Sequence, residues 1–220
     1  MSQKWRWNTA QMAEKKWWQL YLKNKDVDTY LTWKKNYWAG LIDQCLQSFP
    51  LNPDLSILDA GCGPAGIFMN FSHHQDVVAF DPLINDYEKD LDHFKKTWYP
   101  NVKFVNEGIE SFKWPYLFNR VFCMNAINPV QDIQLSFERI CNLVKTDGYL
   151  VITIDAHNHR LFKSLFRLLP GDILHPHQYD LSEYKHIIEK NGLKIMTEIK
   201  LKSEFFFDHY LLIAHKAAHL

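Results

Sequence analysis

The chain has 220 residues, 47% hydrophobic and 23% charged, which fits one globular domain with a small appendage and excludes a disordered polypeptide. Lysine plus arginine balances aspartate plus glutamate at 25 each, so there is no electrostatic case for nucleic acid, and none is expected as a partner. The four cysteines, Cys45, Cys62, Cys123 and Cys141, form no C-x-x-C pair and no zinc spacing, and they read as thiols of a reducing compartment.

No apolar run approaches the roughly 18 residues a membrane helix needs. The opening stretch "MSQKWRWNTAQMAEKK" lacks the apolar segment of a secretory signal. A cytoplasmic protein without a membrane span is therefore expected. Aromatic residues make up 15% of the chain, and most of the eight tryptophans precede residue 40. Residues 10–48 read as helical, because Tyr30, Trp33, Tyr37, Trp38 and Leu41 recur at three- and four-residue steps. Residues 1–48 thus form a Trp-rich helical cap, closed off by the breaker "PLNPD" at 50–54.

From residue 54 strands and helices alternate. "SILDA" is a short apolar strand, and a helix is expected to open at the glycine loop with "AGIFMNFSHH". "VVAFD" (77–81) is a second strand, "YEKDLDHFKKTW" a helix, "VKFVNE" (102–107) a third strand and "RVFCMNA" (120–126) a fourth. "DIQLSFERICNLVK" is an amphipathic helix, and a "DG" turn at 147–148 leads into a fifth strand at 149–155. Strands that are apolar runs, interleaved with helices, predict a doubly wound parallel sheet covered on both faces. The pattern fails over 156–180, which is rich in His, Phe, Leu and Pro. A helix follows in "LSEYKHIIEKNGL", with Ser182 as its expected N-cap and Gly192 as its stop. "KIMTEIKLKSE" and "FFFDHYLLIAHK" then close the chain as a tight antiparallel hairpin. The predicted fold is α/β: a mostly parallel seven-stranded sheet over 54–220, with the C-terminal hairpin, the N-terminal cap and a lid-like insertion at 156–180.

The stretch "ILDAGCGPAG" (57–66) places Asp59 at a strand end, followed by Gly61, Gly63 and Gly66. The glycine spacing matches the dinucleotide fingerprint, which also admits a plain tight turn. The loop can cradle the pyrophosphate of a dinucleotide or the phosphate-free nucleoside of S-adenosylmethionine. Asp59 favours the second. A carboxylate beside a pyrophosphate is repulsive, whereas an ammonium and a sulfonium attract it. Asp81 ends the second strand and suits a ribose diol in either cofactor class.

With these residues in view, the chain resembles the class I S-adenosylmethionine-dependent methyltransferases. "ILDAGCGPAG" is similar to the family's first motif, "VVAFDP" to its ribose-binding strand end, and "FERICNLVKTDGYLVIT" to its helix–turn–strand. The resemblance implies a methyltransferase of the Rossmann-like fold with S-adenosyl-L-methionine as cofactor. It implies cofactor contacts from Asp59, Gly61, Cys62, Gly63, Gly66, Asp81 and Pro82, and from the later strand ends at Glu107, Gly108, Ile109, Asn125 and Ala126. Two positions depart from the family pattern. Gly108 stands where an acid often bonds the adenine amine, leaving a backbone carbonyl, Glu107 or Glu110 for that contact. Pro129 stands where many relatives have a histidine.

Methyl transfer needs alignment and desolvation, and a base only when the acceptor starts protonated. Of His157, His159, His175 and His177, the pair His157 and His177 is expected to flank the acceptor pocket, one of them as general base. No metal site is expected, since these histidines show no recognised ligand spacing. Lys34 or Tyr37 of the cap is placed to reach the methionine carboxylate. The aromatic cap suits a small apolar or aromatic acceptor. An NAD-type oxidoreductase on the same fold and a non-catalytic nucleoside-binding module are the alternatives. The oligomeric state is not legible.

Overall fold

Five strands run parallel in the computed structural model, which describes residues 3–157, 179–205 and 207–218. They are β1 (Ile57–Ala60), β2 (Val77–Phe80), β3 (Val102–Val105), β4 (Phe118–Cys123) and β5 (Val144–His157). β6 (Lys194–Ser203) and β7 (Phe207–His215) add an antiparallel hairpin, with β7 paired to β5. The sheet order is β3-β2-β1-β4-β5-β7-β6. The order reverses between β1 and β4, and there a doubly wound sheet opens a crevice beyond its strand ends.

Both faces of the sheet are covered, as the apolar strands require. Every residue of β1 and β2 is buried. Side chains alternate between faces along a strand. Ile57, Val77 and Ala79 enter one core cluster, while Leu58, Ala60, Val78 and Phe80 enter the other. The first cluster is closed by α2 (Val27–Cys45), which buries Tyr30, Trp38, Leu41, Ile42 and Cys45. The second is closed by α4 (Ile133–Leu143) and α5 (Leu181–Lys190). α3 (Ile84–Asp90) follows β2.

Several elements differ from expectation for local reasons. The helical stretch of 10–48 is two helices, α1 (Gln3–Leu22) and α2, and Asp26 caps the second by accepting from the Thr29 N–H at 2.9 Å. After the glycine loop there is only a 3₁₀ turn, Ile67–Asn70, because the Phe68 N–H is drawn to Asp59 at 3.0 Å and the chain runs on toward β2. "YEKDLDHFKKTW" is not one helix. α3 stops at Asp90, Leu91 turns extended, and burial of Leu91 and Phe94 in the core outweighs helix continuation up to a 3₁₀ turn at Lys96–Trp98. α5 is capped by Asp180, not Ser182. Asp180 and Glu183 form a reciprocal capping box, and Gly192 sits at φ 82° just beyond the helix. Residues 158–178 of the expected lid lie outside the described residues, and so does His177.

Among the described residues no helix is long and apolar enough to cross a membrane. No group of His, Cys, Asp and Glu among them is arranged to hold a metal ion. The four cysteines are free and buried.

Candidate active site

The glycine loop is shaped by what surrounds it. Gly61 and Gly63 adopt φ of 68° and 58°, a left-handed conformation that favours glycine. The N–H groups of Gly61 and Cys62 both donate to the Phe80 carbonyl, at 2.9 and 3.0 Å, which folds the loop over the end of β2. Gly66 is required for another reason. A Cβ there would lie 2.4 Å from Asp59 Oδ2 and 2.4 Å from the Cys62 carbonyl oxygen. Cys62 is 6% exposed, and burial beside Asp59 and Asp81 pushes its thiol well up, so it is no thiolate nucleophile.

Asp59 and Asp81 are the buried acids of the loop, 1% and 5% exposed. Asp81 Oδ2 accepts from the Gly63 N–H at 3.0 Å and Oδ1 from the Leu83 N–H at 2.8 Å, tying the β2 end to the glycine loop. Burial raises both carboxyls from 3.8 to about 7. For Asp59, N–H donors of Phe68 and Ile67 and the charge of Lys34 oppose the rise. For Asp81, Glu14 of α1 adds to it. Lys34 of α2 is half-buried, its Nζ 4.4 Å from the Trp38 ring centre and 5.0 Å from that of Tyr37. Burial lowers it to about 8, against the pull of Asp59. Trp38 is anchored by its indole N–H, which donates to the Ala65 carbonyl at 2.9 Å. From α1, Trp18 closes the loop, lying 3.6 Å from where a Gly63 Cβ would be.

The later strand ends meet the loop from the other side. Ala126 Cβ would clash at 2.4 Å with a Cβ on Gly61, and Ile109, 5% exposed, reaches the same point at 3.9 Å. Asn125 sits at φ 56°. Its N–H donates to Thr153 Oγ1 at 2.7 Å, and that hydroxyl returns a bond to Asn125 Oδ1 at 2.9 Å. Pro82 is half-buried directly after Asp81. Glu107 is exposed and accepts from the Ser111 hydroxyl at 2.6 Å, while the Gly108 carbonyl accepts from the Ser111 and Phe112 N–H groups. Glu110 accepts from the Gln131 N–H at 2.8 Å and so braces the turn after β4. Asn128 bonds the Asp155 carbonyl and the Tyr184 hydroxyl, a structural role between β4, β5 and α5.

His157 lies at the end of β5, two strands from β1 and so about 10 Å away across the sheet. It is 6% exposed, its ring is 4.6 Å from that of Phe207, and its backbone N–H donates to the Tyr179 carbonyl at 2.9 Å. Sequence reasoning missed Glu14, Trp18 and Tyr87. One signal for Glu14 was in plain view: it is the single acid among the first 25 residues.

The sequence profile of a family described as "Methyltransferase domain" matches residues 30–198. The chain belongs to the methyltransferase-domain family. Its fold is that of the class I, Rossmann-like S-adenosylmethionine-dependent methyltransferases. The YcgJ protein of Bacillus subtilis superposes with a TM-score of 0.64 at 15% identity, over 84% of this chain and 100% of that one. The N-methyltransferase NodS of Bradyrhizobium japonicum gives 0.61 at 12% identity, over 83% of this chain and 96% of that one. A magnesium protoporphyrin IX methyltransferase of Synechocystis, solved with bound SAH, gives 0.58 at 14% identity over 83% of each chain. Pavine N-methyltransferase of Thalictrum flavum subsp. glaucum is 22% identical over 151 residues, 67% of this chain. The chain spans only 41% of that relative's length.

The residues of this methyltransferase fold fit the family's cofactor, S-adenosylmethionine. Two buried carboxyls near 7 are held in a low-dielectric crevice with Lys34 as the neighbouring cation, an arrangement that a cationic ligand relieves. Of the three loop glycines only Gly63 has ordinary van der Waals room at its missing Cβ, with Trp18 at 3.6 Å; at Gly61 and Gly66 that space is taken by Ala126, Asp59 and Cys62.

Proposed function

We propose that the protein transfers a methyl group from S-adenosylmethionine to a small apolar or aromatic acceptor. The buried pair Asp59 and Asp81, flanking the glycine loop at the ends of β1 and β2, carries this reading. Asp59 accepts from the amino-acid ammonium, and Asp81 accepts from the ribose hydroxyls. Lys34 meets the methionine carboxylate. Ile109 and Ala126 wall the loop from the side of β4, with the turns at Glu107–Gly108 and Asn125 completing the rim, and Cys62 and Pro82 supply backbone and shape.

S-adenosylmethionine, when bound, supplies a methyl activated by its sulfonium. The chain's own contribution is to orient the two reactants and exclude water. Trp18, Trp38 and Tyr37 from the cap of 1–48 shield the loop, and residues 156–180 form the acceptor side of the core domain, 54–220. His157 or His177 takes the acceptor proton where the acceptor starts protonated. A relative named for N-methylation of pavine supports a small-molecule acceptor. Four buried free thiols support a reducing, cytoplasmic setting. No observation favours a dinucleotide oxidoreductase or a binding module without turnover.

Transfer of labelled methyl from S-adenosylmethionine into a small-molecule extract tests this reading. Label in a low-mass, organic-extractable product is expected. Label only in macromolecules, or none with any extract, would sink it.

A further inference from the structure

α1 brings a second carboxyl to the acid at the end of β2. Glu14 is half-buried, and its carboxyl accepts from the Tyr87 hydroxyl at 3.2 Å and from the Trp18 side chain. Tyr87 is only 1% exposed, so the group that orients Glu14 is itself fixed. The helix is held in register by Lys15, which pairs with Asp86 and, at 2.6 Å, with Asp90 of α3. Trp18, which bonds the Glu14 carboxyl, lies 3.6 Å from where a Gly63 Cβ would be, and the Gly63 N–H donates to Asp81, so Glu14 stands on the Asp81 side of the glycine loop. After burial, its charge is the largest influence raising the Asp81 carboxyl. Lys15, the adjacent cation on α1, is already taken up by the acids of α3.

Two carboxyls set against each other repel when ionised and lose solvation. For packing alone, an apolar side chain at position 14 would serve better. The pair suits a ligand that inserts hydroxyl donors between the two acids. Asp81 already gives one lone pair of each oxygen to the N–H groups of Gly63 and Leu83. Asp81 keeps two acceptor sites, and a second carboxylate lets the two donors of a vicinal diol divide between two acids.

We propose that Glu14 is a cofactor-binding residue, its carboxyl meeting the ribose diol opposite Asp81, so that ligand occupancy fixes α1 over the glycine loop. This rests on the S-adenosylmethionine reading above. The Glu14 carboxyl is pre-aimed by Tyr87 and Trp18, and α1 is tethered by Lys15 whether or not the diol is present. Binding therefore tightens a helix that is already docked.

Calorimetric titration with S-adenosylhomocysteine and its 2′- and 3′-deoxy analogues tests this, in wild-type protein, Glu14→Ala and Glu14→Gln. In the wild type, loss of a hydroxyl is expected to weaken binding about tenfold or more. In Glu14→Ala, the parent ligand binds about tenfold more weakly, and the penalty for at least one missing hydroxyl shrinks to about twofold. Glu14→Gln keeps an acceptor oxygen and retains most of the affinity. Amide exchange over residues 9–22 should slow on binding in the wild type and not in Glu14→Ala. A deoxy penalty unchanged in Glu14→Ala overturns the proposal even if overall affinity falls, because Glu14 then only packs α1. Should Glu14→Ala fail to fold by circular dichroism, the same comparison in Glu14→Met, which keeps bulk and removes the acceptors, decides. If the wild type binds none of these ligands, the cofactor reading itself has failed and the proposal falls with it.

Discussion

At the scale of single residues, the two acids beside the glycine loop, Asp59 and Asp81, are almost fully buried. Asp81 carries two backbone N–H bonds and is 5% exposed, so its remaining lone pairs are aimed rather than averaged over rotamers. In the proposed site, replacing it with alanine removes a charged acceptor from the ribose. Titration of Asp81→Ala with S-adenosylhomocysteine should show affinity lower by roughly tenfold to a hundredfold, from about 1.5–3 kcal/mol for such a bond. An unchanged dissociation constant in a folded variant would remove Asp81 from the site. Gly63 makes a separate prediction. At φ 58° with Trp18 at 3.6 Å from its missing Cβ, a branched side chain there is strained and stands in the path of the ligand. Gly63→Val should lose cofactor binding while its far-ultraviolet spectrum stays native, and retained binding would show that the loop faces something else. The placement of Asp59, Gly61, Gly63 and Asp81 at the strand ends and in the loop was legible in the sequence because it depends on spacing along one strand–loop unit. Glu14, Trp18 and Tyr87 were not, since they meet the loop only through the packing of α1 on α3.

Among elements, the strands were easier to read than the helices between them. β1 and β2 are short apolar runs buried on both faces, and nothing competes with that arrangement. The helix expected after Gly66 gave way to a 3₁₀ turn because a side chain, Asp59, claimed the Phe68 N–H. That competition is tertiary and leaves no mark in local propensity. At α5 the capping signal was present but misplaced by two residues. Ser182 looks like a cap, yet Asp180 followed three residues later by Glu183 is the box that forms. The end of β5 carries the acceptor-side expectation. His157 is held there by the Tyr179 carbonyl and the Phe207 ring. Once an acceptor is in hand, His157→Ala and His177→Ala should be assayed for cofactor affinity and turnover. Intact affinity with turnover lower by about 10²–10⁴ in one of them is expected of a general base. Full turnover in both would mean that the acceptor needs no base from this segment.

Over the whole molecule, the buried acids couple stability to pH. Asp59 and Asp81 stand near 7 in the folded protein against 3.8 ordinarily. Around Asp81 the influential groups are Glu14, Asp59 and the N–H donors of Leu83 and Gly63; around Asp59 they are Lys34 and the N–H groups of Phe68 and Ile67. A raised folded value means the native state keeps protons that the unfolded chain has released. The stabilisation from these two groups is full below about pH 4 and is lost as pH rises through about 7. The unliganded protein should therefore melt higher at pH 6 than at pH 8, and an Asp59→Asn, Asp81→Asn double variant should flatten that difference. Equal slopes in the two proteins would show that the acids are not held as described. Ligand has the opposite sign: cations on the amino acid and sulfonium favour ionised Asp59, so S-adenosylmethionine should bind more tightly as pH rises from 6 to 8.

The most direct test of the site's identity is calorimetric titration of the wild-type protein with S-adenosylhomocysteine, run beside NAD under the same conditions. Stoichiometric binding of S-adenosylhomocysteine with none of NAD is the predicted result. Binding of NAD with none of S-adenosylhomocysteine would contradict the account, because a site built on Asp59 beside the glycine loop should repel a pyrophosphate and hold an ammonium.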